Sequence, residues 1–256
     1  MMSLQGSTDD GIPWGPSKNR TLAVFGKDDR YTCDISKSAH SAVGRVTTDK
    51  GNNRYGICTG TMVGPRLMLT AQHCLNRLSN GGLGQMKFTP AYYDGHAPYG
   101  SAYAKHVWVQ KTMPNKIRFY EYEFAWDYAV VLLDRRIGDK VGWWGFKQYQ
   151  ASWNDHSYWE NIGYGAEIYN GQKPLCQPKA PIYSVQAYSS GGTTSYLMKH
   201  AIDSTGGHSG GPVYGIFDGN EINVVGVNVA GDSRYGVASG GPGLGSLIYK
   251  LRQQYG

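Results

Sequence analysis

Short apolar runs separated by glycine, proline and polar residues dominate the chain, and helical periodicity is rare. Runs rich in Val, Ile, Thr and aromatic side chains predict β-strands when turn residues flank them. Two groups of such runs are present: residues 41–48, 56–63, 66–71, 102–110 and 128–133, and then residues 158–165, 182–189, 195–202, 211–216 and 222–231. The pattern therefore predicts many short strands arranged as barrels or sandwiches.

The C-terminal run LGSLIYKLRQQ, residues 244–254, is the one convincing amphipathic helix in the pattern. Its apolar side chains share one helical face: Leu244, Leu247, Ile248 and Leu251. We expect this helix to pack on the second group of strands. Residues 1–23 are polar and rich in Pro and Gly, which predicts an N-terminal extension or the remnant of a pro-segment.

Composition narrows the class of partner. The 256 residues carry a net charge of +6, but the basic residues are scattered, with no run longer than two. This distribution favours a solvated surface over a nucleic-acid interface. No stretch approaches the roughly 18 apolar residues of a membrane span. We therefore expect neither nucleic acid nor membrane as a partner.

The four cysteines and the N-terminus bear on the compartment. An even, small number of cysteines fits a secreted protein with two disulfides. The first twenty residues have no apolar core, so they do not form a secretory signal peptide as written. A zinc site at Cys58, His73 and Cys74 is a weaker alternative, because paired C-x-x-C spacing is absent.

Three short motifs point to chemistry. IDSTGGHSGGPVYG, residues 202–215, places five glycines around Ser209, as a tight turn or a nucleophile with exposed backbone N–H groups requires. His73 ends the apolar run LMLTAQHC, and Asp127 directly precedes YAVVLL. A carboxylate entering a buried strand needs a hydrogen-bond donor, which an imidazole supplies. A base (His73), an orienting acid (Asp127) and a nucleophile (Ser209) therefore follow one another along the chain.

TAQHC, DYAVVLL and GGHSGGP resemble the motifs of the chymotrypsin-like serine peptidases. The resemblance implies an all-β fold of two six-stranded antiparallel β-barrels with a C-terminal helix. The barrel at residues 24–140 carries His73 and Asp127, and the barrel at residues 141–256 carries Ser209. It further implies a secreted, monomeric serine endopeptidase that acts on proteins or peptides through an acyl-enzyme, without metal or organic cofactor.

The same resemblance assigns roles to individual residues. Ser209 is the nucleophile, His73 the general base and Asp127 the group that orients it, while the N–H groups of Gly207 and Ser209 form the oxyanion hole. The resemblance also implies a Cys58–Cys74 disulfide beside the histidine. Cys33 and Cys176 then remain as a second pair, or as free buried thiols. His208 is expected to be a locally bonded turn residue.

DSTGGHSG, residues 203–210, and VFGKDDR, residues 24–30, are similar to motifs of the glutamyl endopeptidase (V8-like) branch. The resemblance places the primary specificity pocket at Ser204, Asn228, Val229, Ala230 and Gly231. Where the glutamate readers carry a histidine, this chain has Asn228, so we expect a weakened preference for acidic side chains.

Other charges near the predicted pocket leave its specificity open. Asp203, if turned inward, would favour Lys or Arg, whereas Arg234 or an N-terminal amine near Val24 would favour acids. Two other functions are alternatives to the peptidase. One is a non-catalytic binding protein with the same fold. The other is an α/β-hydrolase, which the His-first order argues against.

Overall fold

Fourteen strands and three α-helices make up the regular structure, apart from short 3-10 turns, in the described part of the chain. The structure is a computed structural model, and it describes residues 23–36, 39–49, 55–77, 85–113 and 120–256. Apart from Ala23, the predicted extension at residues 1–23 lies outside these ranges. No helix within them is long and apolar enough to cross a membrane.

Six antiparallel strands close the first barrel. They are β2 (Val43–Asp49), β3 (Tyr55–Met62), β4 (Leu67–Thr70), β5 (Met86–Pro90), β6 (Ala102–Trp108) and β7 (Ala129–Leu133). Their order around the barrel is β2-β3-β4-β7-β6-β5. The continuous apolar run of β7 places Val130, Val131 and Leu133 in the core, each fully buried.

Six further strands close a second antiparallel barrel. They are β9 (Ser157–Gly163), β10 (Leu175–Ser190), β11 (Thr193–His200), β12 (Pro212–Phe217), β13 (Glu221–Gly231) and β14 (Gly236–Gly240). Pairing runs β9-β10-β11-β14-β13-β12 and returns from β12 to β9. Two short strands extend this sheet: β1 (Tyr31–Thr32) pairs with β10, and β8 (Gly145–Phe146) pairs in parallel with β13.

The helices are α1 (Glu121–Phe124), α2 (Gly138–Val141) and α3 (Pro242–Tyr255). The predicted apolar face of α3 is buried. This helix packs on β11 and β14, as expected, but it also contacts β4 of the first barrel. The Arg252 guanidinium donates hydrogen bonds to the carbonyls of Val63 and Trp144. The helix therefore joins the two barrels instead of covering the second alone.

The N-terminal segment, residues 23–36, is bound differently from the expected division of the chain at residue 140. That division assigns the segment to the first barrel, whereas the structure attaches it to the second. Ala23 bridges Ser204, β1 pairs with β10, and a disulfide joins Cys33 to Cys176. The physical reason is backbone pairing, because the second sheet offers this segment a free edge at β10.

Candidate active site

His73 and Asp127 meet because their strands are neighbours. β4 and β7 are antiparallel with Thr70 opposite Ala129, so the residues just after β4 lie beside those just before β7. His73 Nδ1 lies 2.6 Å from Asp127 Oδ2, and the His73 backbone N–H donates to Asp127 Oδ1 over 2.8 Å. The Asp127 side chain is 1% exposed and that of His73 is 18% exposed. A buried carboxylate thus fixes a partly accessible imidazole.

Gln72, which was not identified from the sequence, stabilises the segments that carry His73 and Asp127. Its Nε2 donates to the carbonyl of Lys111 over 2.8 Å, and its backbone N–H donates to the carbonyl of Asp127 over 3.3 Å. The side chain is buried and binds the loop that precedes Asp127. No sequence motif marks this residue, since its partners lie some forty and more residues along the chain.

Ser209 lies on the loop that precedes β12, and this loop crosses to the first barrel. The Thr59 N–H donates to the Ser209 carbonyl over 2.8 Å. Gly210, at φ +87°, lies so close to β3 and β4 that an added Cβ would be 2.1 Å from the Thr59 carbonyl oxygen and 3.0 Å from the Ala71 nitrogen. The contact with Ala71 brings the serine loop against the loop that carries His73.

The Ser209 side chain and the His73 ring are placed on facing loops, with Ser209 half-buried. Within the described ranges no hydrogen bond joins the Ser209 hydroxyl to the imidazole. Catalytic hydrogen bonds are often long in ligand-free enzymes and shorten when substrate binds. The structure therefore brings His73 and Asp127 into direct contact and holds Ser209 nearby by its backbone.

The turn at residues 205–209, called the oxyanion turn below, has an unusual backbone at Gly207. Its φ is +109°, and an added Cβ would lie 2.1 Å from the Tyr164 carbonyl oxygen, so only glycine fits. The Thr59 hydroxyl donates to the Gly207 carbonyl over 2.9 Å and accepts the Tyr164 N–H over 3.0 Å. Thr59 is a second residue that the sequence motifs did not reveal.

The N–H groups of this loop fall into two classes. Those of His208, Gly210 and Gly211 donate to backbone carbonyls. Those of Gly206, Gly207 and Ser209 have no hydrogen-bond acceptor among the described residues. Stabilisation of a developing oxyanion requires free backbone donors of this kind near the nucleophile.

The His208 side chain is buried. Its Nδ1 accepts the Thr205 N–H over 3.4 Å, and its ring packs against Gly163 and Gly165. Burial, together with the positive charge of Arg30, lowers the pKa of His208 to about 3. His208 is therefore a neutral turn residue.

The predicted pocket residues lie together on β13 and the segment before the oxyanion turn. Asn228 is buried, and its backbone exchanges hydrogen bonds with Gly210 and Gly211 over 2.8 and 2.9 Å. The pairing of β12 with β13 stops at Val227, opposite Pro212, so Val229, Ala230 and Gly231 lie beyond it. Ser204 is buried, and Ala23 pairs with its backbone and also packs against Gly231.

Asp203 does not turn into this pocket, so the alternative that it selects basic side chains is wrong for this structure. Its Oδ1 accepts the Phe25 N–H over 2.8 Å and its Oδ2 accepts the Asp29 N–H over 3.4 Å. Burial raises the pKa of Asp203. Arg234 is likewise engaged elsewhere, 2.8 Å from Asp232 on an exposed loop. Neither charge faces the pocket.

Comparison with known sequences identifies related proteins along most of the chain. The family model described as Trypsin matches residues 35–249. A glutamyl endopeptidase of Bacillus licheniformis is 26% identical over 199 residues, 75% of this chain and 54% of that protein. An extracellular metalloprotease of Bacillus subtilis is 24% identical over 225 residues, 85% of this chain and 65% of that protein. The chain thus spans about half to two thirds of the length of these relatives.

A solved structure supports the architecture. A Glu endopeptidase in complex with MPD has a TM-score of 0.68 at 22% identity, covering 90% of this chain and all of the other. Together with the two closed rings of strands, this similarity confirms the predicted all-β, two-barrel, chymotrypsin-like fold.

One relative is named a metalloprotease, and three possible metal-binding side chains lie together at His73. The side-chain donors of Cys58, His73 and Cys74 lie within 4.8 Å of one another. The two sulfurs are bonded to each other in a disulfide. Metal ions bind the thiolate form of cysteine, which a disulfide does not provide. These three residues therefore do not fit a metal site.

Proposed function

We propose that this chain, which belongs to the trypsin family, is a serine endopeptidase with Ser209 as its nucleophile. The 2.6 Å contact between His73 Nδ1 and Asp127 Oδ2, beside the Ser209 loop, carries this proposal. The contact holds the imidazole proton on Nδ1 and leaves Nε2 able to accept a proton from the serine hydroxyl. Resemblance to the glutamyl endopeptidase relative and fold supports the V8-like branch of the family.

In the proposed reaction Ser209 Oγ attacks the carbonyl carbon of the scissile bond while His73 Nε2 takes the hydroxyl proton. The tetrahedral intermediate expels the amine, which receives that proton from His73, and an ester with Ser209 remains. Water then attacks this ester, with His73 again as base, and the released acid regenerates the hydroxyl. Asp127 stays ionised throughout and stabilises the imidazolium.

The oxyanion of each tetrahedral intermediate would accept hydrogen bonds from the N–H groups of Gly207 and Ser209. Their lack of other acceptors among the described residues supports this role. Removing one such donor typically costs about 2.7–4 kcal/mol of transition-state stabilisation. The dense hydrogen bonding around the oxyanion turn keeps these donors fixed before substrate arrives.

For specificity we propose a neutral primary pocket formed by Ser204, Asn228 and the backbone of Val229–Gly231. Asn228 offers an amide, and the nearby charges of Asp203 and Arg234 are engaged elsewhere. An extended substrate would pair with the backbone of Val229–Gly231, beyond the end of β12. We expect acidic, polar and neutral side chains to be accepted at rates within about a hundredfold.

We further propose that the protein is secreted and monomeric and acts on proteins or peptides. Two disulfides, Cys33–Cys176 and Cys58–Cys74, fit an oxidising compartment. One relative is named as extracellular. Size-exclusion chromatography with light scattering measures the oligomeric state, and a mass of twice the chain would contradict a monomer.

The catalytic proposal is tested with Ser209→Ala, His73→Ala and the double variant, assayed on casein and on a diverse peptide library. Each single variant should lose nearly all turnover, and the double should be about as inactive as either. Ser190→Ala, at the exposed end of β10, is the control and should retain full activity. Turnover by a folded Ser209→Ala variant would contradict the assignment.

A diphenyl phosphonate probe separates the enzyme from a non-catalytic binding protein of the same fold. It should label wild type at Ser209, as mass spectrometry of the tryptic peptides would show, and should not label His73→Ala. Absence of labelling in a folded wild-type protein, with no library peptide cleaved, would favour the binding protein.

A further inference from the structure

We infer that Arg30 is a positioning residue for catalysis, which holds the oxyanion turn from the N-terminal segment. This inference rests on the proposed peptidase function and adds a residue outside the three motifs. The Arg30 side chain is 1% exposed although it lies outside the strands that close either barrel. A guanidinium so deeply enclosed requires partners on several sides.

The guanidinium joins three separate segments of the chain. One terminal nitrogen lies 2.7 Å from Asp28 Oδ2 and 3.0 Å from Glu167 Oε1. The other donates to the Thr205 hydroxyl over 3.1 Å. Asp28 belongs to the N-terminal segment, Glu167 to the loop after β9, and Thr205 to the oxyanion turn. A planar fork with five donors can make these contacts at once, whereas an ammonium group acts as a point charge.

The contacts of Arg30 reach the oxyanion turn in two ways, directly through Thr205 and indirectly through the loop that carries Glu167. Thr205 N–H bonds His208 Nδ1, which fixes the residue before Ser209. Ala166, next to Glu167, donates its N–H to the Gly206 carbonyl over 2.7 Å. Arg30 therefore binds both the first residue of the oxyanion turn, Thr205, and, through Glu167, the loop that supports this turn. These contacts hold the peptide groups that would donate to the oxyanion.

The carboxylates of Asp28 and Glu167 compensate the charge of the buried Arg30 guanidinium. Burial alone would lower the pKa of Arg30, but the carboxylates of Asp28 and Glu167 hold it above its usual value. The cation in turn adds to burial in lowering the pKa of His208, so the ring directly before the nucleophile stays neutral. Loss of the guanidinium would leave the Glu167 carboxylate and the Thr205 hydroxyl without this donor.

The cluster also depends on how the N-terminal segment is attached. The Cys33–Cys176 disulfide and the Asp203 carboxylate, which accepts the Phe25 and Asp29 N–H groups, hold the segment on both sides of Arg30. The geometry of the oxyanion hole therefore depends on the N-terminal segment. This segment contributes no residue to the triad or to the part of the pocket on β13.

The test compares Arg30→Lys with Arg136→Lys in steady-state kinetics on one peptide substrate. Arg136 forms an ion pair with Asp139 on the exposed surface, 2.8 Å apart, and is the matched control. Arg30→Lys should lower kcat about 10- to 100-fold with KM changed less than threefold, because a displaced oxyanion hole weakens transition-state binding more than substrate binding. Arg136→Lys should leave both constants unchanged.

Inhibition by a peptide aldehyde provides the second readout. The aldehyde forms a hemiacetal with Ser209 whose oxygen occupies the oxyanion hole, so its inhibition constant should rise by the same factor as kcat falls. The corresponding peptide alcohol cannot form this adduct, and its inhibition constant should change less than threefold. A merely structural role would weaken both ligands together, which would overturn the inference.

Thr205→Val keeps the test decisive if Arg30→Lys fails to fold. This substitution removes the hydroxyl that accepts a hydrogen bond from Arg30 and retains the shape of the side chain. It should lower kcat and weaken aldehyde inhibition as Arg30→Lys does, but by a smaller factor. Unchanged kcat in a folded Arg30→Lys or Thr205→Val variant, with active wild type, would overturn the role of Arg30 alone. Wild-type protein that neither turns over substrate nor reacts with the phosphonate would overturn the peptidase function as well.

Discussion

His200 should make the protein less stable as the pH falls from 7 to 5. The side chain is fully buried at the end of β11, where an added Cβ on Gly236 would lie 2.1 Å from its Cε1. Its Nδ1 accepts the Ile202 N–H over 3.2 Å, which fixes the neutral form with the proton on Nε2. Burial lowers the pKa of His200 from 6.5 to about 4, although the Val237 backbone and the Asn228 side chain act in the opposite direction.

The sign and size of the effect follow from proton linkage. Between pH 6.5 and pH 4 the unfolded chain binds a proton at this residue and the folded protein does not. The contribution of His200 to the free energy of unfolding is therefore fully present above pH 6.5 and is lost as the pH falls toward 4. From pH 7 to pH 5 the free energy of unfolding should decrease by roughly 2 kcal/mol through this group.

The assay is urea unfolding followed by tryptophan fluorescence at pH 7 and pH 5, in a Ser209→Ala background that prevents self-digestion. His200→Gln should be less stable than its parent at pH 7, and this difference should shrink by roughly 2 kcal/mol at pH 5. His96→Gln, at an exposed position, is the control and should run parallel to the parent. A constant difference between His200→Gln and the parent would refute the reasoning.

Four further outcomes are expected. Gly207→Ala should fold but lose about 10²- to 10³-fold in kcat, because its Cβ would press on the Tyr164 carbonyl oxygen and displace an oxyanion donor; unchanged kcat would contradict this. Replacing both Cys33 and Cys176 by Ala should lower the free energy of unfolding by roughly 4–5 kcal/mol, measured in urea, and an equal stability would contradict the chain-entropy estimate. Asp203→Asn should leave the peptide-library profile unchanged, since the carboxylate faces the N-terminal segment; a new class of cleaved peptides would place it in the pocket. The turnover rate should fall from neutral pH to pH 4, as a protonated base cannot accept the serine proton, and a flat profile would argue against a histidine base.

Most strands of the fold could be predicted from the sequence, but not all. The ten apolar runs each overlap an observed strand, whereas β5 and β14 of the barrels and the short strands β1 and β8 were not predicted from the pattern. β14, Gly236–Gly240, consists of small residues, which give little β-signal although every one of them is buried. Only the family resemblance supplied the sixth strand of each barrel, and the solved relative confirms it.

The order of the three motifs predicted the pair His73 and Asp127, while the groups that hold them could not be found in the same way. Gln72 and Thr59 act through backbone atoms distant in sequence, so no local spacing reveals them. The orientation of Asp203 also remained open, since it is decided by the N–H groups of residues 25 and 29. Such contacts depend on the register between segments, which a residue pattern does not specify.

The two ends of the chain are exchanged between the barrels. The N-terminal segment is bound to the second barrel, and α3 reaches back to β4 of the first. Cutting the exposed connection at Gly142 and Trp143 would therefore not separate the two barrels. The Cys33–Cys176 disulfide would still join the two fragments covalently, and α3 would still pack on both barrels. Since His73 lies on the first barrel and Ser209 on the second, a nicked, two-chain form would keep these two residues together. We therefore expect a break in the backbone at this connection to leave the two barrels joined.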